Sequence, residues 1–198
     1  ASDLDRLATR PTVVFGLRSP PRFPTARGWY DGAMSADSHH RHDVCSIACA
    51  VLTVSDSRTV ATDRSGKVIR GLLLEQGHRG EHSAILRDEP EQIAAALGSL
   101  PASVEVVILN GGTGLARRDT TYETVQRLVD KEIIGFGELF RMLSYQQIGA
   151  AAMLSRAMAG VFGSRALFSL PGSTAAVELA MTKLILPQLS HLVGLLRG

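Results

Sequence analysis

A chain of 198 residues holds one hydrophobic core of ordinary size with room for a tail. Its 45% apolar, 20% charged and only 5% aromatic residues describe a globular protein built on aliphatic side chains, which excludes disorder of the whole chain. A formal charge of +2 gives no basis for a nucleic-acid surface, two cysteines (Cys45 and Cys49) make no disulfide framework, and no uninterrupted apolar run approaches the roughly 18 residues of a membrane span. The N-terminus also lacks the pattern of a signal peptide, so the expectation is a cytoplasmic protein with neither nucleic-acid nor membrane partners.

Residues 1–43 carry Pro11, Pro20, Pro21 and Pro24 and no sustained periodicity, so they are expected to form a flexible N-terminal extension to a domain at 44–198. His39, His40 and His42 lie in that extension without neighbouring groups to orient them, and Cys45 and Cys49 read as core or near-core residues rather than metal ligands. From Ile47 the pattern changes. Ile47 to Val54 has the apolar character of a buried strand, and Val68, Ile69, Leu72 and Leu73 share one face of a helix that Gly77 stops. His82 to Leu86 is a weaker strand, Pro90 opens a helix reaching Leu97, and Val104 to Leu109 is the clearest strand of all. Helices are expected at Thr121 to Val129, Phe136 to Ser144 and Ala150 to Ala159. A last strand at Ala166 to Leu170 then leads to a helix from Thr174 that should kink or break at Pro187. This alternation predicts an α/β fold, a mainly parallel sheet covered by helices on both faces.

The chemistry concentrates where strands end. Asn110-Gly111-Gly112-Thr113-Gly114 follows the clearest strand, and glycines there let backbone N–H groups approach an anion and adopt the positive φ angles of a phosphate nest. Thr120 and Glu123 have the spacing of a capping box, which leaves Asp119 either to hold Mg²⁺ against a polyphosphate or to stand as a solvated acid that suits the helix dipole. Asp88 ends another strand and either caps the next helix or shares that task. Asp56, and Asp63 with Ser65 in the run Asp63-Arg64-Ser65-Gly66, follow the first strand. Pro171-Gly172-Ser173 precedes the last helix, whose N-terminus favours anions although Ser173 also suits a cap. Glu138, Arg141 and Ser144 share one flank of a helix whose apolar side is Leu139, Phe140 and Leu143.

Together the segments TVSD at 53–56, DRSG at 63–66, NGGTGLARRDTT at 110–121, GFGELFRMLS at 135–144 and LPGS at 170–173 resemble the MoaB/Mog family of molybdenum-cofactor biosynthesis proteins over about residues 46–196. The resemblance implies a three-layer α/β/α sandwich of molybdopterin-binding type, usually a homotrimer. Catalytic members transfer AMP from Mg-ATP to molybdopterin and release pyrophosphate. Carried over by motif, Asp88 and Asp119 are the acidic, Mg²⁺-holding pair and Gly111, Gly112, Thr113 and Gly114 the ligand loop. Pro171, Gly172, Ser173, Glu138, Arg141 and Ser144 belong to the pterin side, and Asp56, Asp63 and Ser65 border the same cleft. ATP and molybdopterin are then the substrates, and other proteins of the pathway are possible partners. A non-catalytic pterin-binding or scaffold protein of the family is the alternative, and a nucleotide-pyrophosphate hydrolase on the same fold a third reading. Leu192, Val193, Leu195 and Leu196 add an apolar C-terminal stretch suited to oligomer contacts.

Overall fold

The computed structural model describes residues 46–198; the extension expected at 1–43, with its three histidines, and Cys45 lie outside the described residues. In chain order the elements are β1 (Ala48–Val54), α1 (Arg64–Glu75), β2 (Arg79–Leu86), α2 (Pro90–Gly98), β3 (Val106–Asn110), α3 (Thr121–Leu128), β4 (Lys131–Glu132) and α4 (Ile134–Ile148). A 3₁₀ segment (Gly149–Leu154), β5 (Met158–Phe162), β6 (Arg165–Leu170), α5 (Thr174–Ala180), a π turn (Met181–Ile185) and α6 (Leu186–Arg197) complete the chain.

The six strands form one sheet in the order β2-β1-β3-β6-β5-β4. The first four run parallel, whereas β5 and β4 are antiparallel to their neighbours. Alternate residues of β3 explain why helices cover both faces. Val106 and Ile108 pack with Ile69 and Leu73 of α1, Phe140 of α4, Val177 of α5 and Leu189 and Val193 of α6. Val107 and Leu109 pack on the other face with Ile93 and Leu97 of α2 and Val125 of α3. A strand buried on both faces reads as a continuous apolar run, which is the signal β1 and β3 carry. The expected three-layer sandwich is thus the observed one. Its core is tightly coupled to stability: Phe140 is fully buried, and truncation of such a side chain to alanine costs about 3–5 kcal/mol.

Both edges of the sheet are charged and irregular. In β2, Cys49 pairs with Gly80 and Ala50 with His82, so Glu81 is an extra residue opposite β1. At the other end, β4 consists of exposed Lys131 and Glu132 alone.

One expectation is corrected, and two take a more specific form. The helix expected at Ala150 to Ala159 is instead the 3₁₀ segment followed by strand β5, which turns back into β6 through Gly163 at φ +60°. Helix propensity of the alanines yields there to the hairpin, whose two-residue Gly163-Ser164 turn suits the strand twist. The kink or break expected at Pro187 takes the form of the π turn, where the Leu186 N–H reaches back to the Met181 carbonyl and the chain continues as α6. The resulting helical stretch Thr174–Arg197, which contains an 18-residue run of mean hydropathy 1.4, is long and apolar enough to cross a membrane by length and composition. Its apolar face instead lies on the sheet through Val177, Met181, Ile185, Leu189 and Val193. Leu192 and Leu196 also pack against that core, leaving Leu195 as the exposed member of the C-terminal stretch expected to serve contacts between chains.

Candidate functional site

Strand β1 lies between β2 and β3, so the chain leaves its carboxyl end in one direction and that of β3 in the other. Open α/β sheets bind ligands in the crevice at such a switch point. A cleft of about 590 Å³ lies there. Its walls come from the loops after β1 (Asp56, Arg58), β2 (Asp88), β3 (Gly111 to Gly114, Arg118, Asp119) and β6 (Pro171, Gly172), with Leu154, Ser155 and Arg156 from the segment before β5.

The loop after β3 is held in a shape that only glycine fits. Gly111 has φ +105° and an added Cβ would fall 2.2 Å from the Val54 carbonyl oxygen. Gly112 has φ +64°, and a Cβ there would fall 2.1 Å from Thr121 Oγ1 and 2.3 Å from Asp88 Oδ2. The Gly111 N–H donates to the Leu170 carbonyl, but those of Gly112, Thr113 and Gly114 donate to nothing among the described residues. Successive N–H groups without partners at the mouth of a cleft are the donors an anion requires.

The acids around this loop divide into engaged and available ones. Asp88 does not cap α2, whose N-cap is Glu89. Its Oδ1 accepts instead from the Thr120 N–H at 3.1 Å and from the hydroxyls of Thr120 and Thr121 at 3.0 and 3.1 Å, which fixes the start of α3. The capping box expected at Thr120 and Glu123 does not form: Thr120 serves Asp88, and Glu123 pairs with Arg156. Asp119 is not a cap either, since its Oδ2 accepts from the Ala116 N–H within its own loop at 3.2 Å and lies against Gly114. Asp88 Oδ2 and Asp119 Oδ1 accept no hydrogen bond among the described residues. Asp56 is engaged on the rim by Arg118 and by the Asp88 N–H.

Asp63 and Ser65 are buried behind the cleft rather than lining it. Asp63 caps α1 by accepting from the Gly66 N–H at 2.9 Å, and Thr53 Oγ1 donates to its other oxygen at 3.0 Å. Asn110 Nδ2 donates to Thr53 Oγ1, and Ser65 Oγ donates to Asn110 Oδ1 at 2.8 Å. Arg58 donates through Nη1 to Ser65 Oγ and through Nη2 to the Gly172 carbonyl at 2.7 Å. One polar chain therefore ties together the loops after β1, β3 and β6. Pro171 and Gly172 line the cleft, while Ser173 caps α5 by accepting from the Ala176 N–H.

Glu138, Arg141 and Ser144 of α4 do not line this cleft within the single chain; Glu138 is exposed, Ser144 is buried, and Glu138 and Arg141 form no ion pair. On their apolar side Phe140 is buried, but Leu139 is 47% exposed. The same surface continues through Met142, Tyr145 and Ile148 into Met153 and Leu154, all exposed.

Arg156 escaped the reading of the sequence. Its Nε donates to the Thr113 carbonyl at 2.8 Å, Nη2 donates to the Gly114 carbonyl, and Nη1 pairs with Glu123, while the guanidinium lies 4.8 Å from the centre of the Tyr122 ring. The hydrogen bond from Arg156 holds the Glu123 carboxyl below the usual carboxylate range. Nothing in its spacing marks Arg156, because its partners lie 33 to 43 residues away. Arg58, with a partner 114 residues away, is the same case. Cys49 is excluded as a reactive group: burial, with Glu105 adding to it, pushes its thiol up to about 12.

Known proteins resemble this chain over most of its described residues. Residues 50–191 match the family described as "Probable molybdopterin binding domain". A protein of Halalkalibacterium halodurans named molybdenum cofactor biosynthesis protein B is 50% identical over 163 residues, covering 81% of this chain and 96% of that one. Its namesake in Bacillus subtilis is 47% identical over 167 residues, covering 83% and 98%. Among solved structures, one of a molybdenum cofactor biosynthesis protein B superposes with a TM-score of 0.74 at 50% identity, over 77% of this chain and 96% of that one. The tungsten cofactor synthesizing protein MoaB of Pyrococcus furiosus does so with 0.69 at 34% identity, over 77% and 98%.

Proposed function

The chain belongs to the MoaB/Mog family of molybdenum cofactor biosynthesis proteins, and we propose that it transfers an adenylyl group from Mg-ATP to the phosphate of molybdopterin, releasing pyrophosphate. The observation that carries this reading is the pairing, in one cleft, of three unengaged loop N–H groups with two carboxylates that each keep an oxygen free. Attack of one phosphate on another brings two polyanions together. The protein must therefore cancel repulsion and fix the line of attack.

The N–H groups of Gly112, Thr113 and Gly114 bind phosphate oxygens, and Arg156 keeps the loop in register by holding the carbonyls on its far side. Asp88 Oδ2 and Asp119 Oδ1 are hard oxygen donors of the kind that suits Mg²⁺ bound through one or two carboxylates plus substrate phosphates. Bound there, Mg²⁺ would neutralise phosphate charge. A phosphate nucleophile is already ionised near neutral pH, so no strong general base is required. Gly172, whose carbonyl Arg58 holds, and Pro171 border the pterin end.

The exposed apolar surface of α4 and the 3₁₀ segment is the contact through which three chains assemble, bringing Glu138, Arg141 and Ser144 next to a neighbouring chain. Light scattering should then report three chains per particle. The protein works in the cytoplasm.

The deciding experiment is incubation of the purified protein with molybdopterin and Mg-ATP, followed by mass detection of adenylylated pterin. Product formation is expected. Pterin binding without product would instead select the non-catalytic binder of the family, a reading favoured by the structural engagement of Asp56, Asp63 and one oxygen of Asp88.

A further inference from the structure

A second cleft, of about 380 Å³, opens on the other side of the loop after β3 and shares Gly114, Asp119 and Arg156 with the first. The charge of the two clefts differs once internal pairs are set aside. In the first, Arg118 is paired with Asp56, Arg58 with the buried Asp63 at 4.0 Å, and Arg156 with Glu123, which leaves the free carboxylate oxygens of Asp88 and Asp119. In the second, Glu123 is taken by Arg156, while Arg117 and Arg127 make no hydrogen bond or ion pair among the described residues. One cleft is acidic and the other basic, and they meet at Asp119.

We propose that the basic cleft seats the β- and γ-phosphates of the nucleotide, and hence the pyrophosphate that leaves. The assignment rests on the adenylyl-transfer reading of the adjoining site. A phosphate oxygen of the pterin forms a bond to the α-phosphorus; the bond from that phosphorus to the bridging β-phosphate oxygen breaks, and its electron pair departs with pyrophosphate. In-line geometry requires the entering and leaving oxygens on opposite sides of the α-phosphorus. Two adjoining clefts that share Asp119 give the entering and leaving groups separate seats. Guanidinium groups suit the leaving side because they bind phosphate oxygens by paired, charge-assisted hydrogen bonds and stay protonated. Arg127 projects from α3 one turn beyond Glu123, and Arg117 from the loop opposite, so the two flank the same space.

The test uses the full chain and inorganic pyrophosphate as the probe, titrated by calorimetry into wild type, Arg117→Gln, Arg127→Gln and the double variant. Each single variant should bind pyrophosphate about tenfold more weakly and the double variant about 100-fold, with molybdopterin affinity within twofold and an unchanged melting temperature. Arg127→Lys, which keeps the charge, should recover part of the loss and controls for folding. In turnover the same variants should raise the KM for ATP and not that for pterin. Loss of pyrophosphate binding supports the basic cleft as a polyphosphate seat even if the wild type forms no adenylylated product, an outcome that would remove only the transfer reading. Pyrophosphate affinity within twofold of wild type in the double variant overturns the proposal. So does displacement of pyrophosphate by molybdopterin together with weakened pterin binding in the variants, which would assign the cleft to the pterin phosphate.

Discussion

The two clefts on either side of the β3 loop are built from overlapping residues and yet differ in what their charges are left to do. Among the described residues, the arginines of the acidic cleft are consumed as braces and two carboxylate oxygens stay available; in the basic cleft the carboxylate of Glu123 is consumed and two arginines stay available. The lesson is that the formal count of charged side chains around a cavity says little until internal partners have been subtracted. Arg156 shows this directly. It lines both cavities, but its guanidinium is committed to two carbonyls and to Glu123.

The sharpest way to break the comparison is Asp119→Asn, which keeps size and hydrogen bonding but removes the charge shared by both clefts. Adenylyl transfer should fall by about 10² to 10³ while pterin affinity stays within a few-fold, as followed by product mass and calorimetry. A rate that survives within about threefold would take Asp119 out of the mechanism. Gly112→Ala comes next, because it introduces a Cβ against Thr121 and Asp88 at a positive φ. Strain of this kind costs about 1–3 kcal/mol, and the denaturation midpoint should drop together with affinity for both substrates. Arg156→Lys keeps the charge but loses the fork that spans loop and helix. We expect about a tenfold lower kcat, with pyrophosphate affinity changed only a few-fold, which would separate bracing from binding.

The smallest effect lies outside both clefts. His78 is buried, its Nδ1 has no hydrogen-bond partner among the described residues, and burial lowers its pKa from the ordinary 6.5. The folded state therefore holds it neutral more strongly than the unfolded chain does. Its contribution is complete above pH 6.5 and declines as the pH falls below that value. The melting temperature should drop from pH 7 to pH 5 more steeply in wild type than in His78→Gln, with ligand affinities at pH 7 unaffected.

How much of this was legible in the sequence depends on the range of the interaction concerned. β1, β3, the Pro90 helix and the glycine loop are decided by runs of neighbouring residues, and all of them were visible. The helix expected at Ala150 to Ala159 follows the local preference of Ala150 to Ala152 and Ala157, whereas the pairing of β5 with β6 takes its last residues, Met158 and Ala159, into the sheet. The Gly163-Ser164 turn was the available signal. Thr120 and Glu123 had the right spacing for a capping box, but each found a stronger partner, Asp88 and Arg156, from another part of the chain. Asp88 and Asp119, marked by their places after strands, both line the cleft, while the structural half of Asp88's work depends on α3 lying beside it. Asp63 and Ser65 were placed near the cleft and lie one layer deeper.

The sheet edges described above bear on how copies of this chain can meet. An edge strand with unpaired backbone groups invites another strand to continue the sheet, and proteins avoid this with charges, bulges and very short edges. β2 carries Arg79, Glu81 and His82 with Glu81 bulged out of register, and β4 offers only Lys131 and Glu132. Growth by strand addition is thereby blocked at both ends. Association is left to helical surfaces, which can close on themselves at a fixed number of copies instead of extending into fibres.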